Sequence, residues 1–326
     1  MDNEHQKLVS VIIPVYNNAE YLQKTLDSLG SQTYEKWEAI CVDDGSNDGS
    51  QGIILQNASF DNRIHFIQRD ELPKGGSHCR NIGARHAKGD YIIFLDGDDI
   101  LTSTCIKNRL DKITPNNYDF VVFPMGTFRG DVYGKAITDS TIKDYAAAFA
   151  SCHAVWQVTS PLYRHSFFNK IGGFDTNFAR LQDVELGLRA IVLSNNNFKT
   201  YIDEEVDCFY RLSNSAVNSK KYYLAFQQYE KLYHLVSTLQ EECHFASESK
   251  IKMIFLSMLL SSLLVKISCS DFVTDQFDFS KTTDIVEKLS IRGRILYKIA
   301  DMLYFSKKIQ SSFIRIVRRS LFYLYY

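Results

Sequence analysis

The sequence predicts an α/β fold: a doubly wound, mostly parallel sheet followed by a helical C-terminal region. Three observations predict it. Short apolar, β-branched runs alternate with segments of helical spacing over residues 8–99. Acidic or turn-forming residues close those runs at their C-terminal ends. From Tyr222 onward the pattern is helical throughout.

Each element has its own reason. "LVSVIIPVY" (8–16) is a buried strand stopped by Pro14. In "AEYLQKTLDSLGSQ" (19–32), Leu22, Leu26 and Leu29 recur at helical spacing. "WEAICVDDGS" (37–46) and "RIHFIQRD" (63–70) read as strands, and "SHCRNIGARHAKG" (77–89) as a helix ending at Gly89. "DYIIFLDGDD" (90–99) is a fourth strand and "DFVVFPMGTF" (119–128) another, while "LQDVELGLRAIVLS" (181–194) is a helix. Strands alternating with helices imply a parallel sheet, whose ligands bind beyond the carboxyl ends of the strands. "NSAVNSKK" (214–221) marks a boundary, giving a nucleotide-binding domain over 1–215 and a helical region over 216–326.

Composition narrows the function classes. Hydrophobic residues make up 45% of 326, enough for a sizeable core, and the net charge is −1. No global field draws in nucleic acid. The seven cysteines are odd in number and none form a CxxC pair, as expected of free thiols in a reducing cytosol. The amino terminus lacks a signal-peptide pattern. "IFLSMLLSSLLV" (254–265) has twelve residues, whereas a bilayer span takes about 20. It reads as a buried helix in a cytoplasmic protein.

The chemistry gathers at three strand ends. Asp96 and Asp98 flank Gly97, and residues two apart on an extended chain point to the same side. Two such carboxylates suit Mg²⁺ or Mn²⁺, with phosphate oxygens completing the shell. Gly97 lets backbone approach a ligand. An isolated DxD is usually an acidic surface turn; following a buried strand, it reads as a site. At Asp43–Asp44 the first carboxylate is expected to cap the turn and the second to bind a nucleotide. Arg80, on the helix before the DGDD strand, has the donor fork for phosphate, or is a solvated helix arginine.

"VSVIIPVYNNAEYLQKTLDSLGSQTYEKWEAICVDDGSNDGS", then "CRNIGARHAKGDYIIFLDGDD", closely resembles the family 2 glycosyltransferases of GT-A (Rossmann-like) fold. The likeness is strong over residues 8–113. It continues more weakly to about 212, through "IGGFD" (171–175) and "QDVELGLR" (182–189). The resemblance implies that Pro14, Tyr16, Asn17 and Asp44 hold the donor nucleotide. It gives sugar and ribose contacts to Asp96, the metal to Asp98 and the catalytic base to Asp183; in such an enzyme Trp156 either stacks on an acceptor sugar or sits in the core. It also implies a donor with a lean to UDP, and an acceptor in bacterial surface-polysaccharide assembly, a lipid-linked glycan among the expectations.

There are departures. Gln182 stands where relatives often have Glu before the basic Asp. No QxxRW is present, which implies one sugar per encounter. "LSNS" follows "FYR" where many relatives carry a histidine near the metal, leaving a third protein ligand open. Glu185 is the rival base, and a helix N-cap is the structural reading of Asp183.

Two other classes stand beside the enzyme. One is a catalytically inactive sugar-nucleotide-binding scaffold. The other is a nucleotidyltransferase, against which "PVYNNAEY" offers neither glycine nor base for a triphosphate loop.

The tail is distinct. Residues 287–326 hold nine Lys or Arg against two acids, +7, which leaves −8 for the rest. On a helical projection Ile295, Ile299, Met302, Ile309, Phe313, Val317 and Leu324 share one side, with Arg294, Lys298, Lys308, Arg315 and Arg319 on the other. Such a helix suits the anionic inner face of a cell membrane, the chain's own core, or a second copy in a homo-oligomer.

Overall fold

A computed structural model describes residues 7–138, 141–212 and 228–268. The 214–221 boundary and the basic tail lie outside the described residues. The chain divides into two compact units. The first comprises Met1–Thr141, Val155–Asn177 and Leu193–Asn214, and the second Ile142–Ala154, Phe178–Val192 and Ser215–Tyr326. Two segments that a linear division assigns to the first part thus count with the second.

The first unit opens with β1 (Val9–Val15), α1 (Ala19–Gly30), β2 (Trp37–Asp43), α2 (Ser50–Phe60), β3 (Ile64–Gln68), α3 (Gly76–His86) and β4 (Tyr91–Phe94). It continues through β5 (Ile100–Leu101), α4 (Cys105–Asn116), β6 (Phe120–Val122), β7 (Met125–Arg129) and β8 (Val132–Tyr133). After α5 (Tyr145–Ala150) of the second unit come β9 (Pro161–Arg164) and α6 (His165–Lys170). Next are α7 (Gln182–Leu193), β10 (Phe198–Thr200), β11 (Cys208–Arg211), α8 (Tyr229–Cys243) and α9 (Glu248–Ser268).

The main sheet runs β10-β6-β9-β4-β1-β2-β3. β1 is parallel to β2 and β4, β2 to β3, and β6 to β10, with β9 antiparallel between β4 and β6. β1, β2 and β4 are buried on both faces, which is why they read as continuous apolar runs. A second sheet runs β5-β11-β7-β8, and its β5 follows the DGDD turn directly.

Two expected strands are shorter than their apolar runs. β4 ends at Phe94, and the Asp99 amide folds back to donate to the Asp96 carbonyl at 2.9 Å. The 119–128 run breaks at Phe123–Pro124 into β6 and β7, strands of different sheets, since proline has no amide to extend the ladder.

In the second unit, Leu232, Tyr233 and Val236 of α8 are buried, as are Ile254, Phe255, Leu256 and Met258 of α9. Lys250 of α9 pairs with Asp144 just ahead of α5. Among the described residues no helix is long and apolar enough to cross a membrane.

Candidate active site

Three strand ends meet because the ladder leaves them side by side. The Asp44 amide donates to Val15 O at 2.8 Å, and Leu95 N to Ile12 O at 3.0 Å. The ends of β1, β2 and β4 therefore form one edge. Gly97 is packed so closely there that a Cβ would lie 3.2 Å from both the Pro14 carbonyl and Asn18 Oδ1. The close approach that Gly97 permits is to the end of β1.

The β1 end is open. Pro14 is half-buried, while Tyr16, 53% exposed, and Asn17 face solvent. Asn17 holds φ +52°, a left-handed conformation that asparagine tolerates. Its Oδ1 accepts from Asn47 N and its own amide donates to Ser46 Oγ, both at 2.9 Å. Asn17 thus ties the β1 loop to the β2 loop. Lys74 lies over the Tyr16 ring, 4.7 Å from its centroid, and donates to Gly45 O.

The β2 end is closed. Asp43 caps its turn, one oxygen accepting from Gly45 N, Ser46 N and Gln51 Nε2. Asp44 is buried and salt-bridged to Arg69, and its second oxygen accepts from Gly75 N at 2.6 Å, just ahead of α3. Arg69 also donates to Pro73 O.

The β4 end carries two further arginine pairs. Arg80 of α3 donates to Asp96 Oδ1 at 2.5 Å, its guanidinium 5.3 Å from the Phe174 ring centroid. Phe174 is held there by Asn81, which accepts from its amide and donates to its carbonyl. This links "IGGFD" to α3. Arg211, the last residue of β11, donates from Nε and Nη2 to Asp98 Oδ2 at 3.1 and 2.6 Å. Its amide donates to buried Asp99 Oδ1 at 3.0 Å.

The expectation that Asp96 and Asp98 project together from an extended strand is corrected. The chain turns at 96–99, and each carboxylate meets its own arginine. Burial works against the ionised form of these carboxylates. Burial, with the Asp96 charge behind it, raises the Asp98 pKa although Arg211 opposes this. Burial first, then Asp96 and Asp98, raise Asp99 well above the ordinary carboxylate range.

Among the described residues no group of three or more His, Cys, Asp or Glu is placed to hold a metal. Asp96 and Asp98 offer hard oxygen donors with side chains 31% and 25% exposed. That set fits a Mg²⁺ or Mn²⁺ ion whose shell is completed by ligand oxygens and water.

In the second unit, Asp183 is half-buried in the first turn of α7. Leu181, just before it, holds φ +61°, an uncommon conformation for a branched side chain. Glu185 is 1% exposed and ion-paired with Arg189. Gly187 sits against Phe149, where a Cβ would meet the ring at 2.5 Å. Trp156, of the first unit, is 3% exposed, as the core reading expects, and leaves no open ring face for stacking.

The glycosyl transferase family 2 profile matches residues 10–175, just over half of the chain. The chain belongs to glycosyl transferase family 2. That membership places it among transferase enzymes. It is 37% identical over 114 residues to glycosyltransferase GlyA of Streptococcus pneumoniae, covering 35% of this chain and 16% of GlyA. It is 28% identical over 226 residues to the Escherichia coli UDP-Glc:alpha-D-GlcNAc-diphosphoundecaprenol beta-1,3-glucosyltransferase WfgD, covering 69% of this chain and 85% of WfgD. The fold matches S. aureus TarS 1-349 in complex with UDP-GlcNAc, with a TM-score of 0.63 at 16% identity over 98% of this chain and 93% of that one. The fold is therefore the GT-A fold.

The sequence reading missed Arg69 and did not assign Arg211. Arg69 follows β3 directly, and Arg211 closes "FYR", but nothing local says which carboxylate each meets.

Proposed function

We propose that this family 2 member moves one sugar per encounter from a nucleotide-diphosphate donor, a UDP-sugar by preference, to an acceptor hydroxyl with inversion. The observation that carries the reading is the convergence of exposed Tyr16 with Asp96 and Asp98 at the carboxyl edge of a family-matched sheet. WfgD's name, with its UDP-Glc donor and diphosphoundecaprenol-linked acceptor, supports a lipid-linked glycan as the acceptor class.

In this reading Pro14, Tyr16 and Asn17 border the nucleotide. Asp44, fixed by Arg69 and Gly75 N, presents its remaining acceptor capacity to it. Asp96 and Asp98 would hold a divalent ion, Mn²⁺ or Mg²⁺, which would supply positive charge to offset that of the diphosphate. Asp183 takes the proton from the acceptor hydroxyl. The acceptor oxygen bonds to the anomeric carbon as the carbon–phosphate oxygen bond breaks and the nucleoside diphosphate leaves. Arg80, beside Asp96, adds positive charge where the leaving group forms. Glu185 is the poorer base because it is 1% exposed and closed to an acceptor hydroxyl.

A panel of nucleotide sugars assayed for Mn²⁺-dependent hydrolysis tests the proposal, with release of UDP expected from one of them. Asp183→Asn is expected to lower turnover about 10²–10⁴-fold while donor binding persists. Loss of turnover in Glu185→Gln but not in Asp183→Asn would reverse the assignment. Donor binding without hydrolysis or transfer across the panel would favour an inactive binding scaffold.

A further inference from the structure

The two arginines at the end of β4 are not equivalent. The Arg80 side chain is 8% exposed, sits against the Phe174 ring and is crowded by Gly76, where a Cβ would lie 3.0 Å from Nη1. Arg211 is 18% exposed and places two donors on a single oxygen of Asp98. Its Cζ lies 3.7 Å from the Tyr21 ring centroid, and its backbone is held separately through Asp99. The main chain is anchored while the charged head rests on an aromatic face and one partly exposed carboxylate. A guanidinium over an aromatic ring keeps a favourable contact after losing its carboxylate.

Charge and space then decide what a cation meets on arrival. Arg211 already holds Asp98 Oδ2 with two donors, and its guanidinium repels a second cation on the same carboxylate. Asp96 and Asp98 are each matched by one arginine, so a cation that arrives alone finds the first place on Asp98 taken. A diphosphate changes the balance, because it accepts both a metal and a forked guanidinium.

We infer that Arg211 is a resident counter-ion of Asp98 that competes with the divalent cation and yields its place when cation and donor diphosphate enter together, then turning its donors to the diphosphate. Arg211 is thus a positioning residue that makes metal binding depend on the donor. By linkage, the metal raises diphosphate affinity by the same factor. The inference rests on the donor site proposed above.

Mn²⁺ binding followed by electron paramagnetic resonance, without nucleotide, reads the competition directly. Wild type is expected to bind Mn²⁺ weakly. Arg211→Gln is expected to bind it about tenfold or more tightly, the scale of a lost charge-assisted hydrogen bond. Asp98→Asn should remove the gain. With UDP added, Arg211→Gln should show a smaller enhancement of Mn²⁺ affinity than wild type. Arg211→Lys, which keeps the charge but loses the fork, should fall between the two, and it serves if the glutamine variant does not fold. Equal Mn²⁺ affinity in wild type and the folded Arg211 variants, with wild type still binding Mn²⁺ and UDP together, overturns the inference and leaves the donor site standing. Failure of wild type to bind Mn²⁺ even with UDP overturns the donor site as well.

Discussion

β11 and the residue before it support two ion pairs of opposite character. Asp207, one residue before the strand, takes Arg109 in a two-point contact at 2.7 Å each, with side chains 5% and 0% exposed. Arg211, at the strand's end, meets Asp98 with both side chains partly open. The inner pair also feeds Arg109 Nη1 to the Thr159 carbonyl at 2.8 Å, so it stitches α4, β11 and the approach to β9 together. The outer pair uses one carboxylate oxygen and an aromatic rest. Arg69–Asp44 lies near the inner limit, and Arg80–Asp96 between the two. One chemistry thus serves as a lock where water is excluded and as an exchangeable contact where it is not.

The largest effect expected is at the inner pair. Arg109→Met should cost about 3–5 kcal/mol, because Asp207 is left charged and buried, and denaturant unfolding measures it. Arg69→Met should cost less, about 2–3 kcal/mol, since Gly75 N still donates to Asp44. It should also weaken UDP binding by calorimetry. Arg211→Gln should cost less again, about 1–2 kcal/mol, because the pair is partly open and uses one carboxylate oxygen. A loss as large as at Arg109 would erase the distinction between lock and exchangeable contact.

A pH series sharpens it further. Asp99 has its folded pKa raised, by burial and by Asp96 and Asp98. Between the unfolded and folded values the native chain holds more protons than the unfolded one. The stability this contributes is full below the unfolded pKa and is lost as pH rises through the folded one. Asp99→Asn keeps an acceptor for the Arg211 amide, so it should gain stability relative to wild type as pH climbs from about 4 to 8. A constant difference would mean that Asp99 is not strained by its neighbours.

The smallest signal comes from Cys79, whose thiol is pushed up to about 12 by burial and the nearby Asp44 charge. Brief alkylation read by mass spectrometry should modify exposed Cys243 well before buried Cys79. Early labelling of Cys79 would mean that the Asp44–Arg69 end opens.

What the sequence made legible follows from how local each signal is. β1, α1, β2 and α3 lie within a few residues of their expected limits, because apolar spacing and turn residues are read along the chain. α2 escaped notice because only Ser50 and Ile54 of it are buried, too thin a stripe to register. α4 has a clear inward face of Cys105, Ile106, Arg109, Leu110 and Ile113, but its central member is an arginine and reads as surface. The acidic cluster was plain in "DGDD", whereas its compensation came from Arg80 and Arg211, 16 and 113 residues from their partners. Such pairings depend on topology, and no spacing rule encodes them.

The central claim is that the carboxylates at the end of β4 form a cation-assisted donor site. Calorimetric titration of UDP into wild type and Asp98→Asn, each with and without Mn²⁺, tests it most directly. Mn²⁺ is expected to strengthen UDP binding in wild type and to have no effect in the variant. UDP affinity that is the same in both proteins and indifferent to Mn²⁺ would contradict it.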